Sequence, residues 1–99
     1  MSFTQYAVDY HFHANLPKSN KRALKKCHRW WREFQNKGVN VVISTEHIYK
    51  NPKRAYQMMH ATKPDGMHLF PGMEYLTKEG IDIIIFSETP RLYDYEVPN

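Results

Sequence analysis

Short apolar runs alternate with longer amphipathic segments along the chain, a pattern typical of alternating strands and helices. The first apolar run predicts a strand over about residues 6–11. A helix is expected from Ser19 to Lys37, because Gly38 directly after it is a common helix end. Its apolar positions recur at three- and four-residue steps at Leu24, Cys27, Trp31 and Phe34.

The second half of the chain repeats the alternation. A β-branched strand is expected from Asn40 to Ser44, and a second helix begins at Asn51-Pro52, an N-cap followed by proline. That helix stops before the turn sequence Lys63-Pro64-Asp65-Gly66. Two further strands are expected, at His68–Met73 and Ile81–Phe86. This order of elements predicts an α/β fold with right-handed connections and mostly parallel strands.

Three of the predicted strands end in residue types that bind metal ions. His11 and His13 end the first strand, Glu46 and His47 follow the second, and Glu74 ends the third. Residues i and i+2 of a strand point to the same side, so both imidazoles of the first strand can reach one point. Imidazole is a common ligand of transition metals, and parallel α/β folds place their chemistry at this end of the strands. The sequence therefore predicts a metal site there.

Alternatives remain for the individual residues. His11 and His13 alone do not close a metal site, and one could pack while the other is solvated. Asp9 is interpreted as a group that orients a ligand histidine, because a buried carboxylate needs a partner. Glu46 could do the same or could face solvent.

Together these motifs resemble the PHP (polymerase and histidinol phosphatase) superfamily of metal-dependent phosphoesterases. The family opens with Asp-x-His-x-His, continues with an Asp-His pair after strand two, and then has Pro-Gly-x-Glu. The matching residues here are Asp9, His11 and His13, then Glu46-His47, then Pro71, Gly72 and Glu74. The resemblance covers essentially the whole chain and implies the N-terminal part of a distorted (β/α)7 barrel with mostly parallel strands.

The resemblance also implies a function. In the completed barrel, rather than in this segment alone, water activated by a pair of divalent ions (zinc, manganese or iron) would hydrolyse a phosphomonoester or phosphodiester. The substrate would then be a phosphorylated small molecule or a nucleic acid. By this likeness His11 and His13 bind one metal ion and Glu74 bridges two. His47 binds a third ion or contacts the phosphate.

Two positions depart from the family pattern. Where many members complete a third metal position with Asp or His, this chain has the stretch from Asn15 to Ser19. Where many members have a histidine in the strand after Pro-Gly-x-Glu, this chain has Asp82. Asp82 is therefore expected among the metal ligands, as a harder donor that favours manganese or magnesium.

The length of the chain limits the size of the fold that it can form. Its 99 residues make one domain at most, whereas the related eight-stranded barrel usually takes about 250. Residues 1–88 are expected to form a PHP-like partial barrel and residues 89–99 a linker or tail. Further sequence, a partner chain or a second copy of the chain would complete the barrel.

The composition of the chain argues against some classes of protein. No apolar run approaches the roughly 20 residues of a membrane span, and no secretory signal is visible, so a cytoplasmic protein without membrane contact is expected. The only cysteine, Cys27, is interpreted as a core residue. The net charge of +4 is concentrated on the first helix. This helix is either a solvated face or a contact for nucleic acid or another phosphate-rich partner.

Two other functions stay open. The chain could be a PHP-like structural or interaction module whose metal site is unused. It could also belong to an amidohydrolase barrel, which likewise starts with His-x-His on its first strand. Pro71-Gly72-x-Glu74 and Glu46-His47 argue against that second alternative.

Overall fold

The computed structural model describes residues 6–94. Its strands and helices are β1 (Val8–Phe12), α1 (Asn20–Asn36), β2 (Val41–Ser44), α2 (Pro52–Ala61), β3 (His68–Leu76) and β4 (Asp82–Phe86). Two short 3-10 helices occupy Ile48–Lys50 and Pro90–Asp94. The predicted elements all form, with shifts of a few residues at their ends.

The four strands make one curled sheet, a half-barrel, in the order β1-β2-β3-β4. β1 pairs with β2 and β2 with β3 in parallel, because a helix crosses over between each pair. β4 pairs with β3 in the antiparallel direction, since only the short turn ending at Gly80 separates them. The predicted α/β fold with mostly parallel strands is confirmed.

Local signals in the sequence place the helix ends. The Ser19 hydroxyl accepts a hydrogen bond from the Arg22 N–H at the start of α1. Asn51 caps α2 in the same way, with Pro52 at the first helical position. Gly38 takes a positive φ of 74° just after α1, a conformation that glycine adopts without steric cost.

Both helices pack on one face of the sheet and enclose the core. Its members are Phe12, Ala14, Cys27, Trp31, Phe34, Val42, Ala55, Met59 and Met67. The Trp31 indole N–H joins α1 to α2 by donating to the Met59 carbonyl at 2.9 Å. The expected place of Leu24 on this face is wrong: Leu24 is 38% exposed and Ala23 is buried instead. Ala23 shares a helical face with Cys27, four residues later.

The opposite face of the sheet is largely exposed in the described part of the chain. Alternation along β3 places Leu76 on the same face as Glu74, and pairing of Gly72 with Phe86 brings Phe86 to that face too. Leu76 is 65% exposed and Phe86 is 59% exposed. This face is therefore apolar and open, with the polar cluster described below at one end.

The 3-10 helix Pro90–Asp94 falls within the stretch predicted as a linker or tail, residues 89–99, and it contacts β3. The Tyr93 hydroxyl accepts from the Gly72 N–H and donates to the Gly72 carbonyl, both at 2.9 Å. Residues 1–5 and 95–99 lie outside the described residues. Among the described helices, none has the length and apolar character needed to cross a membrane.

Candidate metal centre

The strand ends that carry potential ligands meet at one edge of the sheet. His11 lies in β1 and His13 directly follows that strand. Just beyond β2, His47 forms an isolated parallel bridge with Glu74 of β3, and the Glu74 N–H donates to the Glu46 carbonyl at 3.0 Å. The pairing of β2 with β3 thus continues far enough to carry these residues together.

Three side-chain atoms converge at the centre of this cluster. Oε2 of Glu74 lies 3.0 Å from Nε2 of His11 and 2.8 Å from Nε2 of His13. The two imidazole nitrogens are 3.0 Å apart. Ligands bound at about 2 Å from a zinc ion lie about 3 Å from one another, so this triangle has the dimensions of a shared coordination sphere. His11, His13 and Glu74 could hold a metal ion.

Glu74 is ionised in this environment. Its carboxylate is buried, which pushes its pKa upward, but the hydrogen bond with His11 and the nearby imidazoles of His11, His13 and His47 outweigh burial. The pKa of Glu74 is therefore lowered from its ordinary value. A deprotonated carboxylate is the form that binds a cation.

Glu46 fixes the orientation of His13. Its side chain is only 1% exposed, so the solvent-facing alternative does not apply. One oxygen lies 3.1 Å from Nδ1 of His13 and also accepts from the His47 N–H, while the other accepts from the Asn15 N–H at 2.8 Å. When Nδ1 of His13 donates to this carboxylate, the lone pair of Nε2 is left to point at the centre.

Asp9 acts on the backbone. Its Oδ1 accepts from the His11 N–H at 3.0 Å, and the pairing of β1 with β2 is irregular between Asp9 and Phe12. This contact holds the main chain at His11, whereas the groups that could hold a metal ion do not include Asp9.

His47 completes a second, overlapping group with His13 and Glu46. Its Nδ1 lies 3.8 Å from Oε2 of Glu74. The ring stacks on His13 with 4.3 Å between centroids, and Tyr49 stacks on its other side at 4.9 Å. His47 is therefore held beside the first group by two aromatic contacts.

Asp82, expected as a ligand, is not brought to these groups. It is exposed and pairs with Leu76 at the start of β4, while Ile84 is the residue opposite Glu74. The reason is strand direction, because an antiparallel β4 begins beyond Glu74 and runs back along β3.

Asn15 is a contributor that sequence reasoning did not identify. It takes a left-handed conformation with φ 51°, which asparagine tolerates better than most residues. Besides donating its N–H to Glu46, it accepts from Lys26 through its carbonyl at 2.6 Å and from Lys50 through its side chain at 3.0 Å. The available signal was an asparagine in the loop two residues after His13.

Comparisons with protein-family models, with curated proteins and with solved structures found no match for this chain. The molecule itself defines a class: a small α/β protein whose curled, mostly parallel sheet presents histidine and glutamate side chains at one edge. These side chains are arranged so that they could hold a metal ion.

Proposed function

We propose that this chain is the N-terminal part of a PHP-type barrel and that its function is metal-dependent hydrolysis of a phosphomonoester or phosphodiester. The observation that carries the proposal is the convergence of the His11, His13 and Glu74 ligand atoms at 2.8–3.0 Å. The order of the three PHP-like motifs along the sequence supports the same assignment.

The side chains have distinct roles in this proposal. His11, His13 and Glu74 would hold the divalent ions, and His47 would hold a further ion or contact the phosphate. Glu46 keeps the proton of His13 on Nδ1, and Asp9 holds the main chain at His11. A mixed nitrogen and oxygen donor set suits zinc, manganese or iron.

When bound, divalent ions act as Lewis acids that activate water at neutral pH and offset negative charge on a phosphoester oxygen. The chain leaves this position accessible, since the His11 side chain is 45% exposed. Substrate and water can therefore reach the ligand atoms. This exposure favours a reaction centre over a purely structural metal site, which is usually closed by protein ligands.

Metal binding is the first test. Zinc and manganese affinities are measured by titration calorimetry for the wild type, His13→Ala and Glu74→Gln, with bound metal counted by plasma mass spectrometry. Both substitutions should weaken binding by at least about tenfold, since each removes a ligand. His28→Ala is the matched control because His28 is exposed on α1, away from the cluster. Unchanged affinity in His13→Ala would contradict the proposed centre.

Hydrolysis is the second test. The metal-loaded protein, with its barrel completed by further sequence or a partner chain, is assayed with p-nitrophenyl phosphate and bis(p-nitrophenyl) phosphate, and with an N-acyl amide to cover amidohydrolase chemistry. Cleavage of a phosphoester that His13→Ala abolishes is the expected result. Tight metal binding without any phosphoester cleavage would instead favour the interaction module.

A further inference from the structure

A row of cations lines a groove beside the loop that follows His13. Arg22, Lys25, Lys26 and Arg29 recur at positions i, i+3, i+4 and i+7 of α1, so they share one side of the helix. With Trp30, Glu33 and residues 15–17 they enclose a groove of about 840 Å³. The basic residues therefore line a concave surface.

This row of like charges destabilises α1. Like charges three or four residues apart on a helix repel each other and destabilise it. Within residues 6–94, none of the four cations forms an ion pair with a carboxylate, and the nearby Glu33 is paired with Lys37 at 3.9 Å. An anionic occupant of the groove would supply the missing counter-charge.

A second basic groove lies on the other side of the same loop. It measures about 480 Å³ and is lined by Asn15, Leu16, Lys18, Tyr49, Lys50, Asn51 and Arg54. Asn15 and Leu16 line both grooves. Lys26 of the first and Lys50 of the second both donate to Asn15. The two grooves thus meet at the residue whose N–H is held by Glu46 at the metal centre.

An exposed aromatic ring lines the second groove. Tyr49 is 75% exposed, and its ring stacks on His47 with an interplanar angle of 14°. The ring face away from His47 is available to a flat ligand. A basic groove combined with an exposed aromatic ring is the arrangement with which proteins bind single-stranded nucleic acids.

We infer that the two grooves form one binding track for single-stranded nucleic acid, with the sugar-phosphate backbone along the cations and one base stacked on Tyr49. A phosphorylated small molecule would need one groove at most, and an acidic polypeptide has no base to stack. That the bound strand is also the substrate rests on the proposed function; its binding does not.

Binding is tested on the full chain by fluorescence anisotropy with labelled oligothymidylate and oligouridylate, in EDTA so that no metal contributes. Lys25→Gln/Arg29→Gln should weaken binding about tenfold. It should also lower the slope of log affinity against log salt by about 1.4, because two phosphate contacts are lost. The matched control is Lys21→Gln/Arg32→Gln, which removes the same charge from exposed α1 residues outside the groove. This control should bind nearly as the wild type does.

The stacking contact has its own pair of variants. Tyr49→Ala should weaken binding about fivefold or more, whereas Tyr49→Phe keeps the ring and should retain it. Thermal melts of each variant identify any loss that comes from unfolding. Binding of either oligonucleotide supports the track.

Three results would overturn the inference: no binding by the folded wild type at low salt, equal weakening in the two double variants, or displacement by polyglutamate as effective as by oligonucleotide. The last would indicate an acidic polypeptide as the occupant. Oligonucleotide binding by the chain without phosphoester cleavage by the completed, metal-loaded protein keeps the track and loses the proposed function. Phosphoester hydrolysis without oligonucleotide binding keeps the proposed function and overturns the track.

Discussion

The two nitrogens of His13 are placed in different surroundings. Nε2 meets the Glu74 carboxylate at 2.8 Å, while Nδ1 faces the buried Glu46 carboxylate at 3.1 Å. A carboxylate behind a ligand histidine fixes its tautomer and raises its basicity. The metal affinity of the site should therefore depend on Glu46 even though Glu46 acts through His13.

We predict that Glu46→Ala lowers metal affinity about 10- to 100-fold, the usual effect of removing such a partner. Glu46→Gln should lose less, because its amide oxygen can still accept from Nδ1 of His13. Affinity is measured by competition with a chromophoric chelator. Glu79→Ala, at an exposed glutamate, is the control and should match the wild type. Equal affinities for Glu46→Ala and Glu79→Ala would show that Glu46 does not position the ligand.

Cys27 is fully buried in the core, and we predict that its thiol is unreactive in the folded protein. Burial raises the pKa of its thiol to about 11, outweighing the hydrogen bond with Thr62 and the nearby cations Arg54 and Lys26. The thiolate is the reactive form, so at about pH 8 the folded protein should react very slowly with a thiol reagent such as DTNB.

The same shift sets a direction for stability against pH. The folded pKa of Cys27 lies above its ordinary value of 9.0, so this contribution is present at lower pH and is lost as pH rises from about 9 to about 11. Chemical denaturation midpoints across that pH range measure this loss of stability. In the labelling experiment, unfolded protein is the control for thiol reactivity. Rapid labelling of Cys27 under native conditions would contradict the buried placement.

At the scale of elements, the C-terminal 3-10 helix is attached to β3 through one side chain. The Tyr93 hydroxyl satisfies both the N–H and the carbonyl of Gly72, a buried residue. Burial raises the pKa of Tyr93, which therefore stays protonated and can donate to the carbonyl.

We predict that Tyr93→Phe lowers the free energy of unfolding by about 2 kcal/mol, because it leaves a buried donor and a buried acceptor without this partner. The measurement is urea denaturation followed by circular dichroism. Tyr10→Phe removes a hydroxyl from a residue that is 68% exposed and should change stability by less than about 0.5 kcal/mol. Equal stabilities for the two variants would show that residues 90–94 do not contribute to the fold through this contact.

At the scale of the whole molecule, the sheet is open. In the described part of the chain β1 and β4 are edge strands, and the face opposite the helices exposes Leu76 and Phe86. Unpaired strand edges and exposed apolar patches promote association. A further barrel segment, a partner chain or a second copy would cover this surface.

We predict that the isolated chain associates in solution and that Leu76→Lys/Phe86→Lys shifts it toward monomer. Multi-angle light scattering over a range of concentrations measures the mass. Leu24→Lys introduces the same type of residue on α1, outside the open face, and should leave association unchanged. A monodisperse wild-type monomer with a cooperative melt would show that these residues form a self-sufficient unit.

The helices and strands could be predicted from the sequence, because periodicity, caps and turn residues act over a few neighbouring positions. The sequence also predicted that His11, His13 and Glu74 meet, because it placed them at the ends of parallel strands. They do meet, although β3 continues two residues beyond Glu74, to Leu76. Even the direction of β4 was encoded locally, since the residues between Leu76 and Asp82 are too few for a parallel crossover. The prediction that Asp82 is a metal ligand did not take the short loop between β3 and β4 into account.

Which side-chain atoms meet depends on the packing of strands and loops. The burial of Glu46, the distinct partners of the His13 nitrogens and the placement of Asn15 between two lysines depend on contacts between residues 11 to 61 positions apart in sequence. The same is true of Tyr93, which reaches back to Gly72. Such contacts are set by how the strands and loops pack against one another, and no local pattern in the chain specifies that geometry.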